Sequence, residues 1–181
     1  MKIDLRKEIE LPDGITVNLE KNSLVKLKGP KGEVERSFHH PKIKVLVEGK
    51  TIVLTSSQAT KREKTIIGSY ESHIKNMVQG VQEGFIYKLK ICSGHFPMNV
   101  TVSGDNITVK NFLGESVPRK AKLIPKVDVK INGEEIVVSG LDKELTGQMA
   151  ARIEKMCRIT NRDLRIFQDG CYITHKAGKE L

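Results

Sequence analysis

Residues 45–55 read VLVEGKTIVLT, and residues 129–139 read VKINGEEIVVS. Each stretch has two runs rich in β-branched residues around a glycine, which is the pattern of a β-hairpin with a tight turn. The same pattern occurs once in each half of the chain. Because a repeated pattern of this kind is typical of internal duplication, the sequence predicts two copies of one folding unit.

The similarity between the two copies extends to both sides of the hairpins. Upstream, residues 25–33 (VKLKGPKGE) correspond to residues 107–115 (ITVKNFLGE), with the Gly-Glu step in the same place. Downstream, each hairpin leads into apolar residues spaced three or four positions apart, which predicts a helix that packs one face on a sheet. These apolar stripes are Ile66, Tyr70, Ile74 and Met77 in the first copy, and Leu145, Met149, Ile153 and Met156 in the second.

Both predicted helices have recognisable start signals. Thr60-x-x-Glu63 has the form of a capping box, and Asp142 is a favourable N-cap residue. Gly68 and Gly147 occupy matching positions inside the helices. Since glycine inside a helix costs about 1 kcal/mol relative to alanine, we expect both glycines to mark close approaches between helix and sheet.

The short runs at residues 16–20 and 100–103 alternate apolar and polar side chains, as a sheet with one buried face requires. The predicted fold class is therefore α+β, with two tandem copies of a small antiparallel β-sheet packed against one α-helix. We expect the first copy at residues 1–84 and the second at residues 85–181, because a new strand pattern begins after Gly84.

The chain of 181 residues carries 31 Lys and Arg against 22 Asp and Glu, a formal net charge of +9. Such an excess favours a polyanionic partner through counterion release, and nucleic acid leads that class. No apolar run approaches the roughly 20 residues that cross a bilayer. Three cysteines without regular spacing fit a reducing compartment, so we expect a cytosolic globular protein with no membrane partner.

Catalytic motifs are missing from the sequence, which lacks the spacing of a P-loop, of Gly-x-Ser-x-Gly and of His-Glu-x-x-His. Cys92-x-x-His95 and Cys171-x-x-x-His175 offer the two sulfurs and two nitrogens of a zinc site. On a strand, however, the second pair stands about 13 Å apart at roughly 3.3 Å per residue, too far to share one ion. We therefore expect no metal, no cofactor and no enzymatic activity.

The basic residues cluster in the second copy, around residues 110–130 and after the second helix. Aromatic residues make up only 4% of the chain, which makes base stacking an unfavourable prediction. Two kinds of contact remain: phosphates and 2′-hydroxyls of a folded RNA, or the backbone of DNA. The predicted RNA-contact residues are Lys110, Asn111, Arg119, Lys120, Lys122, Arg158, Asn161, Arg162, Arg165 and Lys176.

Four segments resemble a known family: residues 84–90 (GFIYKLK), 95–100 (HFPMNV), 111–115 (NFLGE) and 161–173 (NRDLRIFQDGCYI). Together they are similar to the universal L6 family of large-subunit ribosomal proteins, in its archaeal and eukaryotic branch. The resemblance implies a structural role in the cytoplasmic ribosome, with the second copy docked on large-subunit ribosomal RNA. It also implies a position near the sarcin-ricin loop and the stalk base, beside neighbouring ribosomal proteins and the region where GTPase translation factors bind.

The family's signature falls on residues 161–172 of this chain. The resemblance implies that Arg162 and Arg165 meet phosphates, that Phe167 and Tyr172 pack in the core, and that Asp169-Gly170 forms a turn before the last strand. Two other interpretations of the residues stay open at this point. One is a metal-dependent enzyme that uses the Cys and His residues, and the other is an RNA-binding module that works outside the ribosome.

Overall fold

The computed structural model describes residues 3–20 and 23–180. The chain folds into two compact units, residues 1–84 and 85–181. The first unit contains β1 (Ile3–Glu10), β2 (Thr16–Glu20), β3 (Leu24–Gly29), β4 (Gly32–Ser37), β5 (Lys44–Glu48), β6 (Thr51–Ala59) and α1 (Lys61–Gln82). The second unit contains β7 (Phe85–Cys92), β8 (Asn99–Ser103), β9 (Asn106–Lys110), β10 (Arg119–Lys122), β11 (Val127–Asn132), β12 (Glu135–Gly140), α2 (Lys143–Met156), β13 (Gly170–Lys176) and β14 (Lys179–Glu180). A 3-10 turn, Phe112–Gly114, lies between β9 and β10.

The two units have the same antiparallel strand topology over the described residues. In the first unit, β1-β6-β5 and β2-β3-β4 form separate sheets, and in the second unit β7-β12-β11 and β8-β9-β10 repeat these orders strand for strand. The predicted α+β class is confirmed, but each unit has two small sheets where the sequence predicted one. β13 and β14 then extend the second unit's larger sheet at the β7 edge, to give the order β11-β12-β7-β13-β14.

The duplicated hairpins that predicted the fold are confirmed. Glu48 pairs with Thr51 across the β5–β6 turn, and Asn132 pairs with Glu135 across the β11–β12 turn. Each turn therefore has two residues. The first of them is a glycine with positive φ, 62° at Gly49 and 60° at Gly133, which a tight turn between twisted strands favours.

Each helix packs an apolar face against a sheet, as predicted from the three- and four-residue spacing. In α2, Met149 and Ile153 are completely buried. In α1, Ile74 and Met77 are buried, but Ile67 replaces the predicted Ile66 at the centre of the buried face. Neither helix in the described part of the chain is long and apolar enough to cross a membrane.

The two helix glycines differ in their surroundings. A Cβ atom on Gly147 would lie 3.1 Å from the hydroxyl oxygen of Tyr87, so this glycine does permit close packing on β7. The same expectation is wrong for Gly68, which is exposed and has no neighbouring atom within 4 Å of the position that its Cβ would occupy. Sequence equivalence between copies therefore does not mean equivalent packing at every position.

The N-terminus of α1 is closed by the predicted capping box. The backbone N–H of Thr60 donates to the Glu63 carboxylate at 2.8 Å, and the Thr60 hydroxyl donates to the same oxygen. These hydrogen bonds from Thr60 lower the pKa of Glu63 to about 2. They outweigh the burial of the side chain, which by itself would raise the pKa. Asp142 likewise caps α2, since its carboxylate accepts from the backbone N–H of Glu144 at 2.8 Å.

We expect the substitution Glu63→Gln to destabilise the first unit near neutral pH. The folded pKa of about 2 lies below the unfolded value of about 4.3, so the ionised carboxylate stabilises the fold above the unfolded pKa. The advantage of the parent over this variant should shrink as the pH falls from about 5 toward 2. Urea unfolding across this range measures the difference, and hydrogen exchange of α1 amides locates it. The control is Glu33→Gln, which removes a negative charge from an exposed hairpin residue. A parent–variant difference that does not change with pH would contradict the role of the charge.

Candidate nucleic-acid interface

We call residues 158–169, which connect α2 to β13, the arginine loop. Its predicted contact residues Arg158, Asn161, Arg162 and Arg165 are all exposed. Asp163 organises the middle of the loop, because its carbonyl accepts from the backbone N–H of Phe167 at 2.9 Å and its carboxylate accepts from the backbone N–H of Arg165 at 2.9 Å. The loop is thus a hydrogen-bonded turn that displays its basic side chains outward.

Asp169 anchors the end of the arginine loop. Its side chain is 1% exposed and accepts from the backbone N–H of His95 at 2.9 Å and from His95 Nδ1 at 2.6 Å. Burial alone would raise the pKa of Asp169, but the hydrogen bonds from His95 and from the backbone of Gly94 outweigh it and lower the pKa. Asp169 therefore does more than form the predicted turn, since it joins the loop to the segment that follows β7.

Arg119 anchors the start of the loop. Its Nη1 donates to the carbonyl of Met156 at 2.8 Å and to that of Arg158 at 3.1 Å, where α2 ends. Its Nε and Nη2 donate to the Glu115 carboxylate at 2.8 and 2.5 Å, and the guanidinium lies 4.2 Å from the centre of the Phe112 ring. Internal acceptors thus engage the guanidinium of Arg119, and the contact of this residue with RNA stays a prediction.

Three stacked side chains, those of His95, Phe167 and Arg162, support the arginine loop from inside. The rings of His95 and Phe167 lie 4.8 Å apart at an angle of 31°. The guanidinium of Arg162 lies 4.9 Å from the centre of the Phe167 ring, a distance typical of a cation–π contact. Arg162 also helps to lower the pKa of Glu115, after the larger effect of the hydrogen bond from Arg119. Arg162 is thus held in place while it stays exposed.

Arg165 makes a local ion pair that leaves it open to a partner. Its Nη2 lies 2.9 Å from Asp163 Oδ2 and its Nε lies 3.1 Å from Asp163 Oδ1. The side chain of Arg165 is nevertheless 91% exposed. Since exposed pairs of this kind contribute about 0–1 kcal/mol, a phosphate can compete with Asp163 at little energetic cost.

The outward face of the sheet β8-β9-β10 forms a second basic surface, which we call the lysine face. Strand register places Thr101, Thr108 and Lys120 in one row and Ser103, Asn106 and Lys122 in the next. Lys110 pairs with Asn99 at the end of the sheet. The alternate residues Ile107 and Val109 point into the core. Thr108 is buried, but the other residues of these two rows are exposed. The face therefore presents lysines among hydroxyl and amide groups, and this set contains no carboxylate.

Two predicted residues lie outside these surfaces. Lys176 ends β13, six residues from Gly170, so it stands roughly 20 Å from the arginine loop at about 3.3 Å per residue. Asn111 has a φ of 59°, and its side-chain amide donates to the carbonyl of Pro97 at 3.1 Å. It shapes the turn after β9, and one N–H of its exposed amide is used by this contact.

The aromatic pair of the signature is placed differently from the expectation. Phe167 is half-buried against the core, but Tyr172 is 41% exposed, so its prediction as a core residue is wrong. Tyr172 lies over Gly170, where a Cβ would stand 3.3 Å from the ring. The reason is strand alternation: the buried neighbour Cys171 takes the core position, and Tyr172 therefore faces the opposite side.

The pairing of His95 with Asp169 was not predicted. Cys92-x-x-His95 suggested only metal binding, and the partner lies 74 residues away in the sequence. Among the described residues, no group of three or more His, Cys, Asp or Glu is placed to hold a metal ion. The thiols of Cys157 and Cys171 touch at 3.6 Å in the core. The contact with Cys157, together with burial, raises the pKa of Cys171, which keeps it a neutral thiol.

Comparison with known proteins gives consistent matches along the chain. The family described as ribosomal protein L6 matches residues 11–84 and 96–170, one segment in each unit. The chain is 46% identical to the large ribosomal subunit protein uL6 of Methanococcus vannielii over 177 residues, which cover 98% of this chain and 97% of the relative. It is 45% identical to the protein of the same name from Methanosarcina mazei over 174 residues, which cover 96% and 98% respectively.

Replacing Arg119 with Met should destabilise the second unit by about 1–3 kcal/mol, because the carbonyls at the end of α2 and the Glu115 carboxylate lose charged hydrogen-bond donors. The matched control is Lys120→Met on the opposite face of the same strand, which removes the same charge from an exposed position. Thermal unfolding of both variants measures the effect. Equal melting temperatures for the two variants would contradict the anchoring role of Arg119.

Replacing Asp169 with Asn should also destabilise the second unit by about 1–3 kcal/mol at pH 7. The lowered folded pKa means that the ionised carboxylate contributes stability above the unfolded value of about 3.9, and that this contribution is lost as the pH falls through the folded pKa. The control is Asp128→Asn, which removes a negative charge from an exposed residue of β11. Denaturant unfolding at pH 7 and pH 3 tests this, and an Asp169→Asn penalty as large at pH 3 as at pH 7 would refute it.

Proposed function

The chain belongs to the ribosomal protein L6 family of the large ribosomal subunit, and from this premise we propose that its second unit binds large-subunit ribosomal RNA through the arginine loop and the lysine face. Members of this family are structural components of the ribosome and not enzymes. As a component of the large subunit, the protein has ribosomal RNA and other ribosomal proteins as partners.

The observation that carries this proposal is the position of Arg119. Its hydrogen bonds to the carbonyls of Met156 and Arg158 hold the start of the arginine loop against β10. β10 is an edge strand of its sheet, and Lys120 and Lys122 point to its other side. The two basic surfaces therefore meet at one strand, and an extended polyanion can contact both.

The chemistry of the two surfaces suits the backbone of folded RNA. Lysines and arginines bind phosphates, while hydroxyl and amide side chains bind phosphate oxygens and 2′-hydroxyls. The acidic residues of the arginine loop do not oppose this contact strongly. Asp169 is buried and hydrogen-bonded to His95, and Asp163 is paired with Arg165. The contact residues that we propose are Arg158, Asn161, Arg162, Arg165, Lys110, Lys120 and Lys122.

The resemblance to the family supports a finer placement of this interface. We infer that the second unit contacts ribosomal RNA near the sarcin-ricin loop and the base of the stalk, in cytoplasmic ribosomes, where it supports the region that binds translation factors. Ribosomal proteins around the stalk base are then its protein neighbours. Four separate segments in the same order carry the resemblance, and one of them contains most of the arginine loop.

The double substitution Arg162→Ala and Arg165→Ala should weaken binding to a transcript of the large-subunit RNA segment that contains the sarcin-ricin loop. Because each phosphate contact contributes roughly 0.9 to the slope of log K against log salt on a duplex, loss of two contacts should flatten the slope by about 2. The melting temperature should change little, since both side chains are exposed. Titrations of a fluorescent transcript at several salt concentrations measure the slope.

The matched control is Arg62→Ala with Lys64→Ala, which removes two exposed cations from α1 in the first unit. Its salt slope should stay close to that of the parent. If this control flattens the slope as much as the arginine-loop variant does, binding depends on net charge and not on the surface proposed.

A further inference from the structure

An open pocket of about 580 Å³ lies beside the arginine loop, where β7 ends and β13 begins. Tyr172, His95, Ile166, Gln168 and Cys92 line it. Its volume lies within the range of sites that bind small organic groups. The function proposed above uses only the arginines and lysines, and it leaves this pocket without a role.

The two rings that line the pocket are fixed before any ligand binds. Tyr172 is 41% exposed, and its ring lies over Gly170, while its hydroxyl donates to the carbonyl of Asp169 at 3.4 Å. The His95 ring is held by buried Asp169 through Nδ1 and is backed by Phe167 at 4.8 Å. Rigid side chains lose little conformational entropy on binding, so these rings are preorganised surfaces for a flat ligand.

The polar groups of the pocket suit an uncharged heterocycle better than a phosphate. The amide nitrogen of Gln168 donates one N–H to the carbonyl of Arg165 at 3.4 Å, and its second N–H and its oxygen can still donate and accept. The Nε2 edge of the half-exposed His95 ring is the one that Asp169 leaves open. The residues that line the pocket include no Lys or Arg, and they do include the Asp169 carboxylate. An anion is therefore disfavoured inside the pocket.

The positive charge lies just outside the pocket. Arg162 stacks on Phe167, the ring that supports His95, and Arg165 lies two residues before Phe167. A nucleotide whose base entered the pocket would therefore keep its phosphate near the arginines. Aromatic rings beside a basic surface are the arrangement by which proteins bind unstacked bases of RNA.

We propose that this pocket holds one unstacked base of the bound ribosomal RNA, against the rings of Tyr172 and His95 and with its edge toward Gln168. This inference rests on the proposed function, because it requires that the second unit binds RNA. It adds a base-stacking contact to a surface that otherwise recognises phosphates and 2′-hydroxyls.

The substitution Tyr172→Leu tests the proposal, with Tyr172→Phe as the matched control that keeps the ring. Tyr172→Leu should weaken binding of the sarcin-ricin-loop transcript about five- to hundredfold, the loss expected for one base–aromatic stack. Tyr172→Phe should bind within about twofold of the parent. The salt slope should be the same for all three proteins, because stacking releases no counterions. Equal melting temperatures for the three proteins show that the fold is kept.

Crosslinking in intact large subunits identifies the contact directly. Irradiation at an ultraviolet wavelength absorbed by bases should attach a single nucleotide to a peptide that contains Tyr172 or His95, and mass spectrometry should detect it. Parent-like RNA affinity of Tyr172→Leu, or crosslinks only at other peptides, would overturn the base pocket. A crosslink from this pocket to a neighbouring protein would overturn it as well. None of these results contradicts the proposed function. The proposed function fails only if the parent does not bind the transcript, or if the arginine-loop variant binds it with the affinity of the parent.

Discussion

One guanidinium group, that of Arg119, joins the elements from which the second unit's interface is built. The carbonyls at the end of a helix have no intrahelical donors and carry the negative end of the helix dipole. Arg119 supplies a donor to one of them, that of Met156, and to the carbonyl of Arg158 just beyond the helix. It also binds Glu115 beside the 3-10 turn. At the other end of the arginine loop, Asp169 binds the segment after β7. Both ends of the loop are therefore fixed by polar contacts, which hold the backbone that carries the basic side chains between them.

The duplication explains the scaffold, and the extension after α2 adds the loop that we propose to bind RNA. β1 to β6 with α1, and β7 to β12 with α2, follow the same order and the same strand pairing. The chain of the second unit then continues for a further loop and two strands beyond the part that repeats the first. β13 pairs with the edge of β7 that the repeated part leaves unpaired, and the arginine loop is the segment that connects α2 to β13. The proposed binding surface thus combines a feature of the repeat, the lysine face, with a feature that only the second unit has.

The features that could be predicted from the sequence depend on contacts between residues that are close to each other along the chain. Hairpin turns, helix spacing and the Thr60–Glu63 capping box are local, and each is confirmed. Prediction failed where the partner is distant in sequence, as with Arg119 and the end of α2 or His95 and Asp169, which are 74 residues apart. The exposure of Tyr172 could have been predicted, because Cys171 is small and apolar and strand neighbours face opposite sides.

The same residue type therefore has opposite roles in this interface, depending on its acceptors. Arg119 is enclosed by carbonyls and a carboxylate, so its charge is used within the protein and stabilises the fold. Arg162 stacks on the face of Phe167 and acts on Glu115 by its charge, and Arg165 has an exposed pair that costs little to exchange. The number of Lys and Arg residues thus overstates how many cations a polyanion can contact. The aromatic content of 4% likewise does not reveal that Tyr172 and His95 line one pocket, where both rings could contact a base. Position relative to internal partners, more than composition, decides which side chains are free to recognise RNA.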